Sequence, residues 1–249
     1  CEMSGAVRDP AYDPMAARVV LNRWISGELA RARNTVTNAV AEHRYNEAAA
    51  AIYHFVWHVF CDWYLELLKP LLSSQDEAIR TEALQHVGWA LDQALLLMHP
   101  FMPFVTEELW QKTASEAAPR DTMLALAPWP AFDGLEDADA DAEIGWIIKV
   151  ISDVRSVRSE MNVPAGARIS CVVVGARSET RRRAEQWAAE ISRLSRLQSL
   201  NFADEVPAGS AQIVLGEAVL ALPLQGVIDL GAERARLAKE LEKTGKDIP

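Results

Sequence analysis

The sequence predicts a mainly α-helical protein: an antiparallel helical bundle, then a small α+β domain, then the start of a coiled coil. Three observations predict it. Apolar residues recur at three- and four-residue spacing through the first 115 positions. After Pro164-Ala165-Gly166 the apolar spacing becomes that of strands. Beyond Gly231 leucines recur at heptad-like intervals among charged residues.

Asp13-Pro14 is a helix-start signal, an N-cap followed by proline at the first helical position. It predicts a long helix to about Arg44, with Leu21, Ile25, Leu29, Ala32, Val36 and Val40 on one face. A second helix is expected over 46–69, stopped or kinked by Pro70. Its stretch 48–61 is apolar almost all round, which predicts the central, most buried helix. Ser74-Gln75-Asp76-Glu77 reads as a capping box opening a third helix. Ile79, Ala83, Val87, Leu91, Leu95 and Met98 form its stripe, and His99-Pro100 ends it. A short fourth helix covers about 103–113, and short connections between the four make an antiparallel bundle.

Residues 119–133 are irregular and proline-rich. Glu136, Asp137, Asp139, Asp141 and Glu143 then form an acidic stretch, expected to be the exposed start of a helix, where carboxylates suit the dipole. Ile144, Ile147, Ile151, Val154 and Met161 mark that helix. Residues 168–174 read as a strand, 180–197 as an amphipathic helix, 199–203 as a short strand, and 211–222 as a hairpin turning at Gly216-Glu217. Near the end, Leu230, Leu237 and Leu241 are surrounded by Arg234, Arg236, Lys239 and Lys243. About two heptads are present, fewer than a stable coiled coil needs, so this reads as a truncated arm. The expected domains are a junction at 1–12, a helical domain at 13–133, an α+β domain at 134–229 and the start of the arm at 230–249.

Half of the 249 residues are apolar and 24% are charged, a globular rather than a disordered composition. No apolar run reaches the roughly 18–20 residues of a membrane span, and no basic stretch followed by an apolar one opens the chain. Cys1, Cys61 and Cys171 are widely spaced and odd in number, which fits neither a disulfide framework nor a cysteine zinc site and suggests the cytoplasm. The net charge of −10 weighs at first sight against nucleic acid. Yet residues 1–140 hold 10 Lys/Arg against 20 Asp/Glu, and residues 141–249 hold 15 against 15. The later part is neutral, and charge does not decide.

His54 and His58 share a helix face, with Cys61 and Asp62 a turn later, a spacing that could ligate zinc. No glutamate follows the first histidine and the segment is the most apolar in the chain, so both are read as structural and no metal is expected. His86-Val87-Gly88-Trp89 is like a nucleotide-binding His-x-Gly-His signature, but it lies inside a capped helix and lacks the second histidine. No phosphate loop, nucleophile elbow or carboxylate pair is visible, and no catalytic residue is assigned. Trp57, Trp63 and Tyr64 could stack on bases, although aromatics in an apolar helix are more often core. Arg155 and Arg158, one turn apart, are a better basic pair, with a solvated helix face as the competing reading.

Two stretches are far more specific. Phe60-Cys61-Asp62-Trp63-Tyr64-Leu65-Glu66-Leu67-Leu68-Lys69 resembles the F-C-D-W-Y-x-E-x-x-K helix of valyl-tRNA synthetases. Leu97-Met98-His99-Pro100-Phe101-Met102-Pro103-Phe104-Val105-Thr106-Glu107-Glu108-Leu109-Trp110 resembles the L-x-H-P-x-x-P-F-x-T-E-E-L-W turn of their anticodon-binding domain. Asn22-Arg23-Trp24-Ile25 stands where the family has D-R-W-I, departing from it at Asn22. Ala127-Pro128-Trp129-Pro130, the V-R-S-V-R-S-E-M segment at 154–161 and the segment at 222–230 complete the series in the family's order. The H-P-x-x-P turn is shared loosely with isoleucyl, leucyl and methionyl enzymes, whereas the C-D-W-Y-x-E helix is similar to the valyl enzymes specifically.

The resemblance implies a class I anticodon-binding bundle with tRNA(Val) as partner, and neither membrane nor DNA. It implies a monomeric full enzyme that activates valine with ATP and Mg, charges tRNA, and hydrolyses mischarged threonyl-tRNA in an editing domain. None of those catalytic or editing signatures is visible here. The chain is therefore expected to be a cofactor-free, catalytically inactive tRNA-recognition portion, the bundle meeting the anticodon stem-loop and the arm the tRNA body. Arg155, Arg158, Arg23, Arg31 and Trp63 are the tRNA-contacting candidates. Two alternatives stand beside this: the matching part of an isoleucyl enzyme, which zinc-finger cysteines after the bundle would favour, and a free-standing helical interaction module.

Overall fold

Helix start and stop signals shape the first part of the chain, and the change of apolar period shapes the second. A computed structural model describes residues 8–115, 118–228 and 231. The chain divides into two compact units, Cys1–Ile144 and Gly145–Pro249. Of the expected coiled-coil start at 230–249 only Gly231 is described; the rest lies outside the described residues.

In the first unit Asp13 caps a single 3-10 turn, Pro14–Ala16, its carboxylate accepting from the Met15 N–H at 2.9 Å. The backbone then extends at Ala17 and re-enters helix at Val20. The one long helix expected from Asp13 is thus a turn followed by a separate helix, α1 (Val20–Ala41). No side chain at the N-cap of α1 caps it. A neighbour does so instead: Glu82 accepts from the backbone N–H groups of Arg18 at 3.1 Å and Val19 at 2.9 Å, a carboxylate set at the positive end of a helix. Leu21, Ile25, Leu29, Ala32 and Val36 are buried as their spacing predicts, while Val40 at the helix end is exposed.

The second helical stretch consists of α2 (Tyr45–Tyr53), a π-helical run His54–Tyr64, and α3 (Leu65–Leu72). Pro70 lies inside α3, which ends two residues beyond it. The stretch is not buried all round, contrary to the expectation from its composition. The wider winding of a π-helix brings residues five apart onto one side. Phe55 and Phe60 are both buried with ring centroids 6.3 Å apart, and buried Tyr64 follows, while Tyr53 and Trp57 are exposed. Burial is heavier in α1 and in α4 (Glu77–Met98), which buries Ala83, Val87, Ala90, Ala94, Leu95 and Leu97. Its N-cap is Asp76, which accepts from the Ala78 and Ile79 N–H groups; Ser74 of the expected capping box accepts from the Asp76 N–H.

After α5 (Pro103–Lys112) the irregular segment is held by one buried ion pair. The Arg120 side chain is 1% exposed and donates to both carboxylate oxygens of Asp92 at 2.6 Å. It lies 3.5 Å above the Trp110 ring, and Arg8 reaches Asp92 as well, at 3.1 Å. A buried charge is tolerated when its hydrogen bonds are satisfied in this way. Leu95, Trp110 and Leu124 form the core cluster that joins the segment to the helices.

The helix α6 (Ala138–Glu160) begins in the first unit and ends in the second. Its acidic start is only partly exposed: Asp137 and Asp141 meet arginines of α1, and Glu143 is buried. In the second unit β1 (Ile169–Val174) alternates buried and half-buried residues. Two helices, α7 (Ser178–Gln186) and α8 (Ala188–Ser195), replace the single one expected over 180–197, the break falling at buried Trp187. They carry the chain to β2 (Leu197–Ala203), which pairs parallel to β1, a pairing that needs such a crossover. The expected hairpin is β3 (Ser210–Leu215) and β4 (Ala218–Pro223), with Gly216 at φ 61° opening its two-residue loop. The strand order is β2-β1-β4-β3. Arg196 closes α8 in the left-handed conformation at φ 54°. Glycine usually fills such a position, and a side chain there costs about 1 kcal/mol.

Candidate nucleic-acid interface

The two signature stretches are largely structural. The Tyr64 hydroxyl donates to Asn22 Oδ1 at 3.2 Å, and the Asn22 amide donates to Glu82 at 2.9 Å, a donor that an aspartate in place of Asn22 would lack. Beside them His86 is fully buried, with the Tyr12 hydroxyl 2.8 Å from Nδ1 and the Ser26 hydroxyl 3.2 Å from Nε2. Burial lowers the His86 pKa to about 3, so the ring is neutral and can accept on one side and donate on the other. Burial, reinforced by the Glu82 charge, also pushes the Tyr12 and Tyr64 hydroxyls up. In the second signature Thr106 donates to the Met102 carbonyl at 2.8 Å and leaves its oxygen to accept from His99 Nδ1 at 2.8 Å. Trp110 donates to the Thr122 carbonyl, and Glu107 accepts from the Leu124 and Ala125 N–H groups. Histidine, threonine, glutamate and tryptophan at these spacings therefore lock the turn between α4 and α5 and the segment after it.

What remains free for a partner lies on the other side of the π-helical run. Tyr53 is 61% exposed and Trp57 54% exposed, and their rings lie 6° from parallel with centroids 6.4 Å apart. His58 sits edge-on to Tyr53 at 5.7 Å and 5.7 Å from His54, with its Nδ1 3.3 Å from Asp62 Oδ2. Both histidines, read from the sequence as structural, are exposed. Among the described residues no group of three or more His, Cys, Asp or Glu side chains could hold a metal. Beside the rings runs an apolar groove of about 380 Å³, lined by Ile52, Val56, Met98, Phe101 and Met102 among others. Flat exposed rings beside an apolar groove can stack on unpaired bases. The sequence reading weighed Trp57 mainly as core and did not single out Tyr53. Their i, i+4 spacing beside His54 and His58 was the available signal.

The five residues singled out from the sequence fall into three settings. On α1, Arg23 lies 2.9 Å from Asp137, with its Nε buried and unpartnered, and Arg31 donates to Asp141 at 2.8 and 2.9 Å and to Glu28 at 2.8 Å. Burial works to lower the Arg31 pKa, but Asp141 and Glu28 outweigh it and push it up. Trp63 is half-buried. In the second unit Arg155 is exposed and donates to the Leu194 carbonyl at 2.9 Å. Arg158 is 7% exposed and donates to the Ala167 carbonyl at 2.8 Å, with those of Arg196 and Pro164 at longer reach. These carbonyl contacts hold the Arg158 side chain in place. The structure brings Arg155 and Arg158 together with Arg196, which the sequence reading missed because 38 residues separate Arg158 from it.

Comparison with known proteins agrees with this architecture. Residues 22–173 match the family described as the anticodon-binding domain of tRNA ligase. The chain belongs to that family. Within it, the sequence is similar to valine–tRNA ligases. It is 49% identical to that of Brucella suis over 247 residues, covering 99% of this chain and 27% of the relative. It is 49% identical to that of Rhizobium meliloti over 242 residues, 97% of this chain and 25% of the relative. It is 42% identical to that of Rhodopseudomonas palustris over 280 residues, 99% of this chain and 29% of the relative. The chain thus spans about a quarter of the length of these relatives, and the match falls in their C-terminal part.

Proposed function

We propose that this chain is the tRNA-recognition part of a cytoplasmic valine–tRNA ligase and that its bundle reads the anticodon stem-loop of tRNA(Val). The observation that carries the reading is the exposed stacked pair Tyr53 and Trp57, set within a bundle of the anticodon-binding family. Anticodon bases are unpaired, and each offers a face that a flat exposed ring can cover without regard to pairing. In this reading the rings of Tyr53 and Trp57 stack on anticodon-loop bases, while Arg155 and Arg158 supply contacts to the RNA elsewhere. Arg23 and Arg31, tied to Asp137 and Asp141, position the start of α6 and contribute less. Valine activation with ATP and Mg, transfer to tRNA and hydrolysis of mischarged threonyl-tRNA belong to the rest of a longer, monomeric protein.

The test is tRNA(Val) binding by Trp57→Ala and Tyr53→Ala variants. Each ring lost from a base should cost about 1–3 kcal/mol of binding, and the melting temperature should hold because both rings are exposed. Unchanged affinity in the double variant would remove the bundle face from the site.

A further inference from the structure

The second unit contains a basic pocket built from α6, the end of α8 and the loop before β1. Arg158 and Ser195 form its floor, 7% and 1% exposed, and Arg155 and Arg196 stand exposed at its rim around about 340 Å³. None of the described residues that line it is acidic. The carbonyls of Ala167, Leu194 and Ala165 accept from Arg158, Arg155 and Arg196 respectively, which fixes the three guanidinium groups around one space. Ser195 adds a second, independent observation: its hydroxyl is buried with no hydrogen-bond partner. Such a group is costly unless something fills its bonding capacity. Arg196 presents its side chain from the left-handed backbone that closes α8, which glycine would adopt without strain. Burial, and then the charge of Arg196, lower the Arg158 pKa.

We propose that Arg155, Arg158, Arg196 and Ser195 form a phosphate-binding pocket that takes a phosphodiester of the RNA backbone. Guanidinium groups grip phosphate oxygens through paired N–H donors, and the Ser195 hydroxyl supplies a further donor from below. The identity of the RNA rests on the tRNA-binding reading above; the pocket itself does not.

Two variants separate this from a packing role. Ser195→Ala removes an unsatisfied hydroxyl, and Arg196→Gly relaxes the backbone, so neither should lower the melting temperature of the free chain. Inorganic phosphate should raise the melting temperature of the unsubstituted chain and do so much less for either variant. In tRNA titrations across salt, Arg196→Gly should make the plot of log affinity against log salt shallower by about one. Equal protection of all three proteins by phosphate would overturn the pocket. So would lowered melting temperatures in both variants with an unchanged salt slope. Selective phosphate protection with an unchanged slope would mean that the pocket holds a small anion, which overturns RNA as its occupant and leaves the bundle's role intact. Failure of the unsubstituted chain to bind tRNA at any salt would sink the tRNA reading, and RNA as the occupant with it, while the phosphate arm would still report on the pocket.

Discussion

Single residues in this molecule matter most where polar groups enter the core. His86, Tyr12, Ser26, Tyr64, Asn22 and Glu82 form hydrogen-bonded contacts that link α1, α4 and the signature helix. Each group has a partner, and removing one strands another without water. His86 makes this network sensitive to pH. Folded, its pKa is about 3; unfolded, it returns to about the ordinary 6.5. The unfolded chain therefore binds the extra proton. The stability contributed by the neutral ring is fully present above about 6.5 and is lost as the pH falls toward 3, at about 1.4 kcal/mol per pH unit. Lowering the pH from 7 to 5 should cost about 2 kcal/mol through His86 alone. A His86→Gln variant should show a pH profile flatter by that amount, and superimposable profiles would exclude His86 as the source.

At the scale of elements, the π-helical run has the largest consequence. An eleven-residue run, His54–Tyr64, turns Phe55, Phe60 and Tyr64 inward together and leaves Trp57 in solvent beside Tyr53, the last residue of α2. An ordinary helix reading spreads the same apolar residues around the whole circumference. The core of the first unit is instead shared between α1 and α4, and on α4 Leu95 is 1% exposed and packs with Trp110 and Leu124. Leu95→Ala should destabilise this unit by about 2–5 kcal/mol, the cost of a cavity in a packed site. The second unit has its own sheet and helices and should keep its own transition. Denaturant unfolding followed separately for each unit tests both points. A loss below about 0.5 kcal/mol would mean that the site collapses around the cavity or was never tightly packed.

At the scale of the whole molecule, a chain of net charge −10 is proposed to bind a polyanion. Internal ion pairs leave that charge as it is: Asp92 pairs with Arg8 and Arg120, and Asp137 and Asp141 pair with Arg23 and Arg31, which takes up cations as well as carboxylates. Net charge acts through long-range steering, while docking depends on local groups such as exposed rings and the Arg155–Arg158–Arg196 pocket. The proposed division of labour also predicts a result for this chain alone. It should show no valine-dependent ATP–pyrophosphate exchange, because no ATP-binding signature was found among its residues. Exchange above a blank would overturn that division and place activation chemistry in this chain.

The sequence by itself determined the order of helices and strands, the hairpin turn at Gly216-Glu217, the turn between α4 and α5, and the family. These features depend on local periodicity, proline and glycine geometry, and short motifs, all of which act over a few residues. Only the tertiary structure decided which apolar residues face solvent in the run His54–Tyr64, because a π-helix changes the period from which burial is read. It also decided that α1 is capped by Glu82, about 60 positions away in the chain, and that α1 and α4 are buried more heavily than the second helical stretch. The basic pocket belongs to the same class of fact. Arg155 and Arg158 are visible as a pair one turn apart, but Ser195 and Arg196 join them only when α8 ends beside α6. Contacts between residues distant in sequence are set by packing, and no local pattern records them.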